Sequence, residues 1–209
     1  MTGVFITGTD TGVGKTVAAA CFARAWHAAY WKPIQTGTAT GDEDTMTVAA
    51  LAELPPDRIV APVYALRAPL SPHAAAALEG IAVALDAVTM PSLKHPLVVE
   101  GAGGIFVPLN DRDFMIDLMA RLALPIVLVA RSTLGTINHT LLSLSALRAH
   151  SLRIAGVVLD GPPNAGNRAA IEQFGDVRIL AELPHADPLN PAAVARLAER
   201  IPALNEVAR

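Results

Sequence analysis

The chain has 209 residues, enough for one domain with a sizeable buried core, so we predict a single domain over residues 1–209. Sixteen basic and 19 acidic side chains give a net charge of −3 without a basic block, which argues against a nucleic-acid partner. Although 52% of the residues are apolar, no apolar run approaches the about 20 residues needed to cross a bilayer, and the first residues lack the features of a signal peptide, so we expect a cytoplasmic protein without a membrane partner.

Short apolar segments alternate with Ala- and Leu-rich stretches along the chain. This rhythm is typical of βαβ units and predicts an α/β fold with a mostly parallel central sheet and helices on both faces. We predict strands at residues 4–7, 29–32, 96–100, 125–130, 154–159 and 177–181. Helices are predicted at residues 15–28, 44–52, 71–79, 114–122, 137–150, 165–174 and 191–200. The Pro-rich residues 55–72 show no clear period and are predicted to form a connection on the surface.

The strongest local motif follows the first predicted strand. Residues 8–16 read Gly-Thr-Asp-Thr-Gly-Val-Gly-Lys-Thr and open the first predicted helix, which is the setting of a phosphate-binding loop. Small residues let backbone N–H groups surround phosphate oxygens, the helix N-terminus adds partial positive charge, and Lys15 brings a full charge. Thr16 can offer its hydroxyl to Mg²⁺. Five residues separate Gly8 from Gly14, where the common motif has four, so the loop is a lengthened form.

Two further strands end on charged residues. Lys32 ends the second predicted strand and Glu100 ends the third, within Val-Val-Glu-Gly-Ala-Gly-Gly. Because the carboxyl ends of parallel strands meet at one edge of the sheet, where ligands bind, a second lysine there can stabilise a transferred phosphate. Glu100 stands where an acid holds Mg²⁺. Each residue alone also fits a solvated charge or a turn cap, and the acids at residues 42–44 also fit a helix cap.

These three segments, in this order, resemble the dethiobiotin synthetase family. Residues 71–73 (Ser-Pro-His), 135–139 (Gly-Thr-Ile-Asn-His) and 182–184 (Glu-Leu-Pro) add to the resemblance, which runs from residue 7 to about residue 191. The family's phosphate loop has the same lengthened form, so the extra residue favours this family over other P-loop proteins. The resemblance implies a single-domain P-loop NTPase fold.

The resemblance implies an ATP-dependent cyclo-ligase of biotin biosynthesis, a dethiobiotin synthase that uses Mg²⁺. In the implied reaction, one amine of 7,8-diaminononanoate (7,8-diaminopelargonate) takes up CO₂, supplied as CO₂ or bicarbonate, to form a carbamate. The carbamate oxygen attacks the γ-phosphate of ATP and gives a carbamic–phosphoric anhydride. The second amine then closes the ureido ring, which releases phosphate and leaves dethiobiotin and ADP. Positioning and positive charge are the main demands on the protein.

The resemblance also implies roles for individual residues. Lys15 and Lys32 are the implied catalytic residues, since Lys15 contacts the phosphates and Lys32 binds the carbamate and the reacting phosphate. Implied nucleotide contacts are Gly12, Val13, Gly14, Lys15, Thr16, Val17, Glu100, Gly101, Ala102, Gly103, Asp160, Gly161, Pro184, His185 and Ala186. Implied substrate contacts are Thr11, Thr36, Gly135, Thr136, Ile137 and Asn138. Implied magnesium ligands are Thr16, Asp44 and Glu100.

A homodimer is implied as well. Residues 135–138 begin a predicted helix, whose N-terminus suits the carboxylate tail of the substrate bound to the partner subunit.

The chain departs from the family pattern in two places. Fewer residues separate Lys15 from Lys32, so the first helix or the second strand must be shorter. Asp160 stands where the family often has the Asn that recognises adenine, and an ionised Asp accepts from an exocyclic amine but cannot donate to adenine N7. The choice between ATP, CTP and GTP is therefore left open.

Three other interpretations stay open on the sequence. One is an ATPase switch of the partition or nitrogenase-iron-protein type, the second is an amidotransferase-related synthetase domain, and the third is a nucleotide-binding scaffold without catalysis. The first usually carries a second lysine early in the loop, where this chain has Thr9, Asp10 and Thr11.

Overall fold

The central feature is a parallel β-sheet in the computed structural model, which describes residues 2–41 and 43–208. The strands of this described part are β1 (Gly3–Gly8), β2 (Ala29–Trp31), β3 (Ile34–Gln35), β4 (Ile59–Val60), β5 (Tyr64–Ala65), β6 (Leu97–Gly104), β7 (Ile126–Arg131), β8 (Ile154–Asp160) and β9 (Ile179–Leu183). Seven of them form one sheet in the order β4-β2-β6-β1-β7-β8-β9, in which each neighbouring pair is parallel. The strands β3 and β5 form a separate parallel pair.

Helices connect the strands and cover both faces of the sheet. Over the same described residues they are α1 (Lys15–Ala25), α2 (Asp44–Ala52), α3 (Pro72–Leu78), α4 (Met115–Leu122), α5 (Thr136–Ala149), α6 (Ala165–Gly175), α7 (Pro191–Ala198) and α8 (Leu204–Val207). The predicted fold class is confirmed, and the six predicted strands and seven predicted helices are present with ends that differ by up to four residues. No helix within residues 2–41 and 43–208 is both long and apolar enough to cross a membrane.

The prediction for residues 55–72 was wrong in one respect, because this stretch contains two strands as well as a connection. Strand β4 pairs with β2 at the edge of the main sheet, and β5 pairs with β3. Each is only two residues long, which is too short to show a period in the sequence. Prolines flank both strands, and proline in a sheet is confined to edges because it lacks an N–H donor. The single-turn helix α8 was also not predicted.

Side chains on the central strands alternate between two apolar cores. On β1, Val4 and Ile6 pack on the face covered by α1, α2 and α7, whereas Phe5 packs on the face covered by α4, α5 and α6. All three side chains are fully buried. Burial on both faces explains why the strands read as continuous apolar runs, as in other parallel sheets.

The short spacing between Lys15 and Lys32 is accommodated by an early end of α1 and a tight turn into β2. The helix ends at Ala25, and His27 adopts a left-handed conformation with φ 48°. The N–H of Ala28 then donates to the carbonyl of Ala23, and the N–H of His27 to that of Arg24, which is the pattern of a Schellman motif. The chain therefore enters β2 at Ala29 without a longer loop.

Candidate active site

The order of strands brings the three sequence motifs together. Strand β6 lies between β1 and β2, with Glu100 level with Ile6 of β1 and Val99 level with Trp31 of β2. All three strands run in the same direction, so the phosphate loop after β1, Lys32 after β2 and the Gly-rich end of β6 meet at one edge of the sheet. This is the edge at which open α/β sheets bind ligands.

The phosphate loop, residues 8–16, has a backbone that requires glycine at Gly14. This residue is left-handed, with φ 89°, and a Cβ atom there would lie 2.3 Å from Cγ of Asp160. Gly12 is also left-handed, with φ 68°, and a Cβ atom there would meet no neighbour within 4 Å. Glycine at position 12 thus serves the turn, whereas glycine at position 14 also permits close contact between the loop and the end of β8.

Asp10 organises the first half of the loop. Its Oδ1 accepts the N–H of Thr11 at 2.7 Å, its Oδ2 accepts from the Arg131 guanidinium at 2.7 Å, and its carbonyl accepts from Lys15 Nζ at 2.8 Å. Arg131 ends β7, so the ion pair ties the lengthened loop to the neighbouring strand. The lysine of the loop therefore turns back onto the loop itself.

Four side chains form what we call the acid–lysine cluster: Thr16, Lys32, Asp44 and Glu100. Lys32 Nζ lies 2.7 Å from Asp44 Oδ2 and 3.1 Å from Glu100 Oε1. The Thr16 hydroxyl lies 2.7 Å from Asp44 Oδ1 and 3.2 Å from Glu100 Oε1. Lys32 is 5% exposed and Glu100 is 1% exposed, so these charges interact with little screening by water.

Two residues outside the motifs support this cluster. The Tyr30 hydroxyl donates to Glu100 Oε2 at 2.9 Å, and Tyr30 is fully buried. The Gln35 amide lies 3.4 Å from Asp44 Oδ2. Tyr30 of β2 thus contacts the carboxylate of Glu100, and Gln35 of β3 contacts that of Asp44.

The acid–lysine cluster fits a magnesium site by the chemistry of its donors. Thr16, Asp44 and Glu100 present one hydroxyl and two carboxylates, which are the hard oxygen ligands that Mg²⁺ prefers. Within residues 2–41 and 43–208 no group of three or more His, Cys, Asp or Glu side chains is placed to hold a metal ion, and the acid–lysine cluster supplies two such side chains. Two protein carboxylates and a hydroxyl are nevertheless a common magnesium set where phosphates and waters complete the shell.

The two buried lysines have opposite pKa shifts. Burial lowers the pKa of Lys15 to about 8, a shift that the Glu100 carboxylate reduces and the Lys32 ammonium increases. Burial alone would also lower the pKa of Lys32, but the carboxylates of Glu100 and Asp44 outweigh it and raise the pKa above its ordinary value. Burial disfavours the charged form of Asp44 as well, yet the Lys32 ammonium lowers its pKa below the ordinary value.

A cleft of about 690 Å³ opens above these residues. Twelve of the residues singled out in the sequence line it: Thr11, Gly12, Gly14, Lys15, Thr16, Val17, Lys32, Thr36, Asp44, Glu100, Ala102 and Gly103. Val13 and Gly101 do not line it, because Val13 is buried beneath the loop and Gly101 packs against Phe5 and Met115. Asp42, which belongs to the acids at residues 42–44, lies outside the described residues.

The other predicted contacts lie outside the cleft. Asp160 ends β8 and Gly161 follows it, and Pro184, His185 and Ala186 follow β9, where His185 Nε2 is 3.3 Å from Asp160 Oδ2. Burial raises the pKa of the Asp160 carboxyl, and the contact with His185 reduces this shift. Gly135, Thr136, Ile137 and Asn138 lie at the beginning of α5, where Thr136 is buried and Asn138 is exposed.

Sequence reasoning missed several residues of the site. Val107, Gly37, Pro69 and Leu70 line the cleft, as do Ser71 and Pro72 of the Ser-Pro-His segment, for which the resemblance implied no role. Arg131 and Asp10 are 121 residues apart, so no local pattern announces their pairing. Tyr30 left a weak signal, since it is a hydroxyl-bearing residue two positions before Lys32 in a strand and therefore shares a face with it.

Known proteins resemble the chain over almost its whole length. A family model described as an AAA domain matches residues 2–193. The ATP-dependent dethiobiotin synthetase BioD of Paramagnetospirillum magneticum is 53% identical over 197 residues, which cover 94% of this chain and 95% of that protein. The corresponding BioD of Nitrobacter hamburgensis is 47% identical, with 90% of this chain and 88% of that protein covered.

A longer relative matches as well. The biotin biosynthesis bifunctional protein BioCD of Bordetella avium is 55% identical over 205 residues. These residues are 98% of this chain, which spans only 44% of the length of that protein. The likeness therefore concerns less than half of the bifunctional relative.

Solved structures with a similar fold are much more distant in sequence. A ParA family ATPase from Chlorobium tepidum superposes with a TM-score of 0.53 at 13% identity, with 99% of this chain and 94% of that chain covered. The cell division ATPase MinD of Pyrococcus furiosus superposes with a TM-score of 0.52, also at 13% identity, with 96% and 98% covered. At this identity the likeness extends to the fold alone.

Proposed function

The chain belongs to the dethiobiotin synthetase family, and from this premise we propose that it is an ATP-dependent cyclo-ligase that makes dethiobiotin in biotin biosynthesis. The observation that carries the proposal is the meeting of the phosphate loop and the acid–lysine cluster in one cleft. Two lysines and a set of oxygen ligands at one point are what phosphoryl transfer requires. The proposed substrates are 7,8-diaminononanoate, CO₂ or bicarbonate, and ATP.

In the proposed reaction, one amine of the substrate takes up CO₂ and loses a proton to become a carbamate. The carbamate oxygen forms a bond to the γ-phosphorus, and the bond from that phosphorus to ADP breaks. The second amine then attacks the carbonyl carbon of the carbamic–phosphoric anhydride, loses a proton and expels phosphate. Lys32 would hold the carbamate and Lys15 the phosphates, so both substrates are oriented without a covalent bond to the protein.

Magnesium would be held by Thr16, Asp44 and Glu100. When bound, the ion supplies positive charge to the phosphate oxygens, as in other P-loop enzymes. The protein's own contribution is to keep Asp44 ionised, since the Lys32 ammonium lowers the pKa of that carboxyl, and to exclude water from the buried side of the cluster, where Glu100 is 1% exposed.

Asp160 would meet the nucleotide base together with residues 161 and 184–186. Its carboxylate can accept from an exocyclic amine, which adenine and cytosine carry. Guanine and uracil present a carbonyl at the equivalent position, where two acceptors would face each other. We therefore propose that ATP and CTP are used in preference to GTP.

The active unit would be a homodimer in which Gly135, Thr136, Ile137 and Asn138 bind the carboxylate tail of the partner's substrate. Support comes from exposed apolar side chains beside this segment, since Leu134 is 99% exposed and Leu142 is 63% exposed.

Sedimentation of the wild-type chain and of Leu134→Glu tests the proposed dimer interface. The variant should sediment as a monomer and need a higher diamine concentration, whereas an unchanged dimer would remove this interface. The proposed location is the cytoplasm, which fits a reaction that consumes ATP.

The direct test is an assay with the diamine, bicarbonate, Mg²⁺ and nucleotide that follows dethiobiotin and phosphate together. We expect one phosphate per dethiobiotin, with ATP and CTP active and GTP about 5- to 150-fold slower, since one unfavourable polar contact is worth about 1–3 kcal/mol. Phosphate release without dethiobiotin would indicate an ATPase switch and refute the ligase function. Equal rates with GTP would refute only the role of Asp160.

A further inference from the structure

The central acid of the acid–lysine cluster is held from behind by a residue that no sequence motif contains. Tyr30 lies in β2, is fully buried, and donates its hydroxyl to Glu100 Oε2 at 2.9 Å. Lys32 lies two residues further and donates to Oε1 of the same carboxylate at 3.1 Å. Tyr30 in β2 and Lys32, which directly follows this strand, therefore contact the two oxygens of Glu100 from one short segment.

The buried hydroxyl of Tyr30 has a role beyond packing in the core. The ring of Tyr30 lies in the apolar core formed with α1, α2 and α7, where a phenylalanine would fit without a polar group. A buried hydroxyl is unfavourable unless it has a partner, and here the partner is a carboxylate, which gives a strong hydrogen bond. The bond fixes the direction of the carboxylate as well as satisfying the hydroxyl.

The consequence for Glu100 is that its two oxygens have different environments. Oε2 is engaged by Tyr30, whereas Oε1 faces Thr16 and Lys32 in the cleft. If Lys32 swings to the carbamate during the reaction, Glu100 loses one of its hydrogen bonds, but the bond to Tyr30 remains. Such outer partners of metal ligands typically change metal affinity about 10- to 100-fold.

We propose that Tyr30 is a positioning residue that fixes Glu100 so that Oε1 alone is presented to Mg²⁺ in the cleft. This inference rests on the proposed magnesium site at Thr16, Asp44 and Glu100. A residue that only filled the core would affect folding but would not affect metal affinity when its ring is retained.

The experiment compares Tyr30→Phe with Tyr64→Phe. The chain has two tyrosines, and Tyr64 also bears a bonded hydroxyl, which accepts the N–H of Ala84 at 3.0 Å away from the cluster. Mn²⁺ binding to the enzyme–ADP complex is measured from the loss of the free-ion electron paramagnetic resonance signal. We expect about 10- to 100-fold weaker Mn²⁺ binding in Tyr30→Phe and wild-type binding in Tyr64→Phe. ADP binding in EDTA should be the same in all three proteins, and excess Mg²⁺ should restore turnover of Tyr30→Phe.

The outcomes separate this inference from the proposed site. Wild-type protein that binds no Mn²⁺ with ADP would refute the magnesium site itself. Normal binding in the wild type and in Tyr30→Phe would overturn the role of Tyr30.

A second measurement decides the case even if Tyr30→Phe does not fold. In wild-type protein labelled with ¹³C at tyrosine Cζ, Mg²⁺ added to the ADP complex should shift the Tyr30 signal and leave the Tyr64 signal in place. The spectrum of Tyr64→Phe assigns the two signals. A Tyr30 signal that stays fixed at saturating Mg²⁺ would overturn the proposal.

Discussion

The two ends of the candidate site each bury a lysine, but they compensate its charge differently. In the phosphate loop, Lys15 is 7% exposed and its ammonium donates to the carbonyl of Asp10. Within residues 2–41 and 43–208, no carboxylate lies within ion-pair distance of Lys15 Nζ. In the acid–lysine cluster, Lys32 is 5% exposed and touches both Asp44 and Glu100. The pKa of Lys15 is accordingly lowered to about 8, and that of Lys32 is raised.

This difference in charge compensation indicates which ligand each lysine would bind. The buried charge of Lys15 is offset only in part by the more distant Glu100, Asp44 and Asp10 carboxylates, and the arrival of nucleotide phosphates would neutralise it. Lys32 already has two anionic partners, and when it turns to the carbamate it would leave Asp44 and Glu100 free for Mg²⁺. In the phosphate loop, the charge of Lys15 would thus be compensated by a ligand. In the acid–lysine cluster, Lys32 would exchange its two carboxylate partners for the carbamate.

The largest effect is expected for Lys32→Gln. Loss of the ammonium leaves two carboxylates facing each other with one almost wholly buried, and removal of one member of a buried ion pair costs about 3–5 kcal/mol of stability. We expect about 3 kcal/mol here, because the Asp44 side chain is 31% exposed. Turnover should fall at least about 100- to 1,000-fold, since a donor that stabilises the transition state is lost. Chemical denaturation and the dethiobiotin assay measure the two effects.

Lys94→Gln is the matched control for this variant. Lys94 is the remaining lysine of the chain and is exposed, so its loss should change neither stability nor turnover. Normal turnover in Lys32→Gln would remove Lys32 from the mechanism. Wild-type stability in that variant would contradict the ion-pair geometry.

A smaller and opposite effect is expected for Lys15→Gln. Its removal relieves a buried charge with no anionic partner, so the free energy of unfolding should be equal to or above that of the wild type. Nucleotide binding should weaken about 10- to 100-fold, because a hydrogen bond from a charged donor to phosphate is worth about 1.5–3 kcal/mol. Calorimetric titration with ATP and a denaturation curve test both statements. A clear loss of stability would show that Lys15 is already compensated and would end the contrast with Lys32.

The part of the site that could be predicted from sequence is the part built by local patterns. The phosphate loop is contiguous, and Lys32 and Glu100 each end a predicted apolar strand, so the rule that strand ends meet at one edge was sufficient to place them. Helix α2 was predicted with its observed ends because Asp44 opens an uninterrupted helical segment.

The remaining contacts depend on tertiary structure. The pair of Arg131 with Asp10 and the bond of Tyr30 to Glu100 join residues that only the strand order brings together. The two-residue strands β4 and β5 are held by pairing with β2 and β3 rather than by their own sequence. No window along the chain contains this information, since each contact is decided by its partner.

The smallest effect is a pH dependence that Lys15 should have and Lys32 should not. As the pH rises through about 8, Lys15 of the free enzyme loses its proton, whereas bound phosphates favour the ammonium. Nucleotide affinity should therefore fall by up to about tenfold per pH unit above about pH 8, with uptake of a proton on binding. Between about pH 8 and the ordinary lysine pKa of 10.5, the contribution of Lys15 to the free energy of unfolding should rise, since the unfolded chain still binds the proton.

Titration of ATP in two buffers of different ionisation enthalpy counts the protons taken up on binding, and this uptake should be present in Lys94→Gln and absent in Lys15→Gln. If affinity stays constant across this range in the wild type, the charge of Lys15 is compensated before the nucleotide arrives, and the two lysines do not differ in the way proposed.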